Sequence, residues 1–171
     1  IYDALKSAAA RGVTVSVIYD GDSQRESNEK HLAHSGIEAL THPRIHSGRY
    51  MHNKFFVLRR QGVSQQVWTG STNLTMGGVH GQSNVGQLIT DAATARAYTA
   101  YWELLAGDPG GRRDDSASEK RSRNAAFKAE VAMLSPAPTD RAGVSSGITP
   151  VFSPRPDLGA LQLYARLIGG D

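Results

Sequence analysis

The sequence predicts an α/β fold, on three observations. Val13–Tyr19 alternates β-branched and polar residues directly after an apolar-faced stretch that closes at Gly12, so a helix feeds a strand through a short link. Phe55-Phe56-Val57-Leu58 is a continuous apolar run of the kind found in a strand buried on both faces. Ala95, Tyr98, Trp102 and Leu105 repeat at helical spacing behind a capping Asp91.

In order, Ile1–Arg11 reads as the second half of a helix, with Ile1, Ala4, Leu5 and Ala8 on one face. Asp20-Gly21-Asp22 is a turn at the end of the first strand, where sites of α/β sheets gather. Ser23–His34 reads as a polar helix and Ile37–Leu40 as a short strand. His42, Pro43, Arg44, His46 and Arg49 fall in the next loop and read as ordinary surface. Val67 and Trp68 form a strand paired with 55–58 through an Arg59–Gln66 loop. Met76–Gly81 is a glycine-rich turn containing His80, and Asn84–Thr90 is another strand. The helix from Ala92 to Leu105 ends at Gly107-Asp108-Pro109, and its stripe reads as core.

Chemistry concentrates between Tyr50 and Gly77. His52 and Lys54 are two residues apart, so on a strand they share a face. Gly70-Ser71-Thr72-Asn73 follows the next strand, with glycine allowing close approach and Ser71 or Thr72 capping a short helix near Asn73. An imidazole nucleophile, an ammonium and neutral donors are what phosphodiester chemistry needs. Lys54 on a buried strand would be awkward without an anion.

His52-x-Lys54 followed by Gly70-Ser71-x-Asn73 resembles the motif of the phospholipase D superfamily. The resemblance implies α/β/α layers around a mixed β-sheet. It also implies His52 as nucleophile, Lys54 and Asn73 as phosphate holders, and Ser71 and Gly70 as support. No cofactor and no metal are expected. Two positions depart from the pattern. Arg59 stands where the family usually has an aspartate, and Asn84 stands near where many members carry the carboxylate that orients the nucleophile. Members of the superfamily work as two copies, in one chain or as a homodimer, so a second histidine comes from a partner copy. The substrate class is a phosphodiester of a phospholipid or of nucleic acid.

The 171 residues suffice for one domain with a core, and 39% apolar content is that of a globular chain. A net charge of +3 is compatible with polyanions without identifying one. With no cysteine, disulfides and thiolate metal sites are excluded; the compartment stays open, with the cytoplasm slightly favoured. No apolar run approaches a membrane span. The chain opens at Ile1 rather than methionine and reads as a piece of a longer protein. The phospholipase D-like domain is expected over 1–109, its first strand and the start of its first helix missing. A charged, then Pro/Gly/Ser-rich linker is expected over 110–147, with a helix at Ala125–Leu134. Ile148–Ser153 reads as a strand and Leu158–Ile168 as an amphipathic helix, so 148–171 is expected to open a second repeat.

Two other readings use the same residues. A non-catalytic phosphate-binding or pairing domain is motivated by Arg59 and Asn84. A metal-dependent hydrolase would use the loop histidines. His31 and His34 are three apart, as metal ligands on a helix are, but no third ligand accompanies them and a solvated face is the simpler reading.

Overall fold

The computed structural model describes residues 1–46, 51–144 and 147–170. Helix α1 (Tyr2–Ala10) leads into strand β1 (Val17–Asp20), which pairs in parallel with β2 (Thr41–Arg44). Helix α2 (Arg25–Leu32) and a 3-10 turn (Glu38–Leu40) connect them. Strands β3 (Phe55–Arg60), β4 (Val63–Gly70) and β5 (Gly86–Ile89) form an antiparallel sheet in that order. Helices α3 (Met76–His80), α4 (Ala92–Ala106), α5 (Ala117–Leu134) and α6 (Gly159–Gly169) complete the chain. Strands of both orientations with helices against them make an α/β architecture.

The core lies between the strands, α4 and α5. Tyr101, Leu105, Phe127, Val131 and Phe152 are buried together, with Ile18, Phe55 and Tyr98 packed against them. Tyr101 stacks on Phe152 at 4.4 Å between ring centroids, and Tyr98 meets Phe152 edge-on at 4.8 Å. The alternation of β3 decides which residues reach this core. Phe55 enters it, while Phe56 and Leu58 are exposed on the opposite face beside Trp68 and Leu88.

Several elements differ from the sequence expectation. The first strand begins at Val17 rather than Val13. Ile37–Leu40 is a 3-10 turn, and the strand is Thr41–Arg44, although it contains Pro43. Its only described partner is β1, so it is an edge strand, where a proline can face away from the ladder. The polar helix stops at Leu32, and His34 lies beyond it with φ +67°. Strands β3 and β4 run to a two-residue turn, Gln61-Gly62, in which both φ values are positive (+49° and +78°). That is the hairpin turn whose twist matches the strands, so no loop from 59 to 66 is needed.

Within the stretch expected as a linker over 110–147, the helix begins earlier than Ala125. Helix α5 starts at Ala117 on a full capping box, in which Glu119 N–H donates to Ser116 Oγ and Ser116 N–H donates to the Glu119 carboxylate. Phe127 and Val131 then anchor α5 in the core. Ile148–Ser153 forms no ladder among the described residues. Phe152 is buried against Tyr98 and Tyr101, and its N–H donates to Ser135 Oγ at 2.9 Å.

Arg44 is a buried cation rather than part of a surface loop, with 5% exposure. Its Nη2 donates to Pro109 O at 3.3 Å, its Nε lies 3.7 Å from the Asp108 carboxylate, and its guanidinium sits over the Phe127 ring. Burial pulls the guanidinium below its ordinary pKa, opposed by Asp108, Tyr101 and Asp20. Asp108 also accepts from the N–H groups of Ile45 and His46 and pairs with the His46 ring. The loop that leaves β2 is thereby tied to the end of α4. Arg49 lies outside the described residues.

Candidate active site

Strand pairing assembles the site from two separate stretches. Phe55 pairs with Thr69, and Gly70 N–H donates to Lys54 O at 3.3 Å, so Lys54 lies beside Gly70 at the open end of the hairpin. Gly70 in turn pairs with Gly86 of β5. Lys54, just ahead of β3, is thus followed across the sheet by two glycines, the second of them covered by the Trp68 indole. A Cβ at Gly70 would lie 2.0 Å from Val85 O, so only glycine fits between the strands there.

His52 and Lys54 lie on the stretch that enters β3, and the Asn53 side chain between them reaches Tyr101. His52 is exposed. Lys54 Nζ donates to His52 O at 2.9 Å, and partial burial holds the ammonium below its ordinary pKa. A lysine that is partly desolvated gains most from a bound anion.

Ser71 and Asn84 form one hydrogen-bonded unit. Ser71 N–H donates to Val85 O at 2.9 Å and Val85 N–H donates to Ser71 Oγ at 3.0 Å. Ser71 Oγ donates to Asn84 Oδ1 at 3.2 Å, and Asn84 Nδ2 donates to Gly78 O at 2.8 Å. The amide at position 84 is therefore committed to holding the Gly-Ser-x-Asn turn against α3. Asn73 is exposed, with its backbone packed on Gly78. The cap of the short helix is Thr75 rather than Ser71 or Thr72: Gly78 N–H donates to Thr75 Oγ1 at 3.0 Å, and the expected turn at Met76–Gly81 is largely this one-turn helix. Among the described residues, no hydrogen bond joins the His52 imidazole to Ser71, Asn73 or Asn84. Arg59 is exposed beyond a register shift in β3, and its guanidinium folds back to donate to Gly62 O.

Two residues that sequence reasoning passed over stand next to the motif. Tyr101 reaches Asn53 from α4; its signal was its place between Tyr98 and Leu105 on the buried stripe. Asp20, read as a turn residue, is buried at the end of β1. Burial pushes its carboxyl up, but hydrogen bonds from Ser23 Oγ and from the backbone of Asp22, Gln24 and Met51 outweigh this and leave it below the ordinary carboxylate range. Such a group stabilises the fold when ionised. Its contribution is present above the unfolded value near 3.8 and is lost as pH falls through the lower folded value. The Asp20→Asn variant is therefore expected to fall below the parent in urea midpoint at neutral pH, with the gap closing as pH drops below 3.8.

The remaining histidines do not converge. His31 Nδ1 contacts Ser27 O, His42 is exposed on β2, His46 pairs with Asp108, and His80 is exposed at the end of α3. Among the described residues, no three His, Asp or Glu side chains come together as a metal site requires. Among them too, no helix is long and apolar enough to cross a membrane.

Comparison with known families decides what this arrangement belongs to. The family model described as cardiolipin synthase, phospholipase D-like domain matches residues 1–105, well over half of the chain. The chain belongs to the phospholipase D superfamily. No curated protein and no solved structure matched it. The matched span of this phospholipase D-like domain runs from α1 to the last turn of α4, so it contains both halves of the motif and the strands that join them.

Proposed function

We propose that this phospholipase D-like domain is part of a phosphodiester hydrolase or transferase that works through a covalent phosphohistidine on His52. The observation that carries the reading is the pairing of Lys54 with Gly70, which sets the imidazole-bearing stretch beside the Gly-Ser-x-Asn turn. In the first step an imidazole nitrogen of His52 attacks phosphorus, and the bond from phosphorus to the leaving oxygen breaks. Lys54 and Asn73 hold the non-bridging oxygens, with Ser71 supporting. A second histidine, from another copy in the same chain or from a homodimer partner, protonates the leaving oxygen. In the second step water or an alcohol, deprotonated by that same histidine, attacks phosphorus and frees His52. The substrate is a phospholipid or nucleic-acid diester, and residues 148–171 are read as the opening of the second copy.

The test is turnover of bis(p-nitrophenyl) phosphate in EDTA by the full parent protein. Release of p-nitrophenolate that survives EDTA and is lost in His52→Ala is expected. Turnover that EDTA abolishes would overturn the covalent reading in favour of a metal-dependent one.

A second reading, a non-catalytic phosphate-binding or pairing domain, is favoured by one observation. Asn84 spends its side chain on Ser71 Oγ and Gly78 O, and an amide cannot stabilise an imidazolium as a carboxylate does. Absence of turnover in the full parent protein, with retained binding of inorganic phosphate, would favour it.

A further inference from the structure

The residue between His52 and Lys54 is held from behind. The Asn53 side chain reaches α4, where the Tyr101 phenol oxygen lies 3.4 Å from its Oδ1. The same oxygen lies 2.6 Å from Ser153 O. A phenol has one proton, and the short contact to a carbonyl, which can only accept, takes it. The oxygen's lone pairs then face Asn53, whose Oδ1 is the amide atom at 3.4 Å; turning that amide over, which exchanges two near-equivalent atoms, brings Nδ2 to the phenol as a donor.

The phenol is itself firmly placed. Its ring is stacked between Phe152 (4.4 Å, 8° between planes) and Phe55 (5.9 Å, 25°), within the buried core of α4 and α5. Burial pushes the phenol above its ordinary pKa, so its proton stays available for the Ser153 bond at working pH.

We propose that Tyr101 is a positioning residue, which fixes Asn53 and through it the directions of His52 and Lys54. The proposal rests on the phosphodiesterase reading of His52. His52 and Lys54 flank Asn53 directly, so the backbone torsions at Asn53 set the angle between its two neighbours. Asn53 is exposed and stands outside the β3–β4 ladder, which begins at Phe55. The Tyr101 contact therefore supplies an anchor that the ladder does not. It also couples this stretch to Ser153, so a change in how residues 147–153 sit would be felt at the motif.

The experiment is a double-mutant cycle of Tyr101→Phe and Asn53→Ala in the full parent protein, read as kcat and KM for bis(p-nitrophenyl) phosphate and as urea midpoints. Removing only the phenol oxygen is expected to lower kcat about tenfold and to leave KM within about twofold, since a displacement of the nucleophile acts on the reacting geometry. The double variant is expected to be no slower than the slower single variant, because both substitutions break the same contact. An unchanged kcat in Tyr101→Phe, a loss confined to KM, or additive losses would overturn the proposal. A loss of kcat matched by a collapse of the urea midpoint would overturn it too, in favour of a purely structural role. An inactive parent protein would instead overturn the phosphodiesterase reading, and with it the reaction that Tyr101 is said to serve.

Discussion

Replacement of His52 by alanine is expected to lower turnover of a phosphodiester by at least about 10³-fold while leaving the fold intact. The side chain is exposed and lies outside the strand ladder, so truncating it removes no core packing. Catalysis loses its nucleophile, and no described neighbour can replace it. Lys54 Nζ is engaged with His52 O, and Ser71 Oγ with Asn84 and Val85. Circular dichroism and urea midpoints equal to those of the parent protein would separate lost chemistry from lost structure. A variant that retained a tenth of the activity would place the nucleophile elsewhere.

The second large effect concerns stability. Asp108→Ala is expected to destabilise the domain by about 3–5 kcal/mol, measured by urea unfolding. The substitution leaves the Arg44 guanidinium buried without its carboxylate and strips acceptors from the N–H groups of Ile45 and His46. It also puts alanine at φ +49°, a conformation that asparagine and aspartate tolerate far better. Asp108→Asn keeps that conformation and one carbonyl oxygen, so its cost is expected to be less than half as large. Equal losses in the two variants would show that the charge pairing with Arg44 carries the effect, and that backbone geometry and the acceptor oxygen contribute little.

The parts of the molecule that the sequence made legible are those fixed by local chemistry. Asp91 caps α4 through a bond from Thr94 N–H, as its place before the apolar stripe predicted. The link from α1 into β1 was an equally local signal, and the apolar run of β3 marked a strand, although Phe56 and Leu58 leave one face exposed where burial on both faces was expected. The strand after Lys54 foretold the approach of Gly70, whose N–H donates to Lys54 O.

What was not legible was decided by tertiary partners. Thr41–Arg44 contains a proline and reads as loop, yet it becomes a strand because β1 offers it an edge. Ile148–Ser153 has the residues of a strand, but Phe152 is drawn into the aromatic cluster of α4 instead. Arg44 reads as surface until Asp108, Pro109 and Phe127 are seen around it. Two misses had a usable signal. Ser116-Ala117-Ser118-Glu119 is a capping-box pattern and marks the start of α5 within a charged stretch. Gln61-Gly62 marks the hairpin turn within the stretch read as an Arg59–Gln66 loop.

The covalent role of His52 is tested most directly by trapping the intermediate. The full parent protein would be mixed with bis(p-nitrophenyl) phosphate in EDTA, quenched under alkaline conditions within the first turnover, and digested for mass spectrometry. The expected result is a p-nitrophenyl phosphoryl group on the peptide containing His52, stable to base and labile to acid, formed with one equivalent of p-nitrophenolate per site. Steady turnover with His52 unmodified at every quench time, and no burst, would contradict the account.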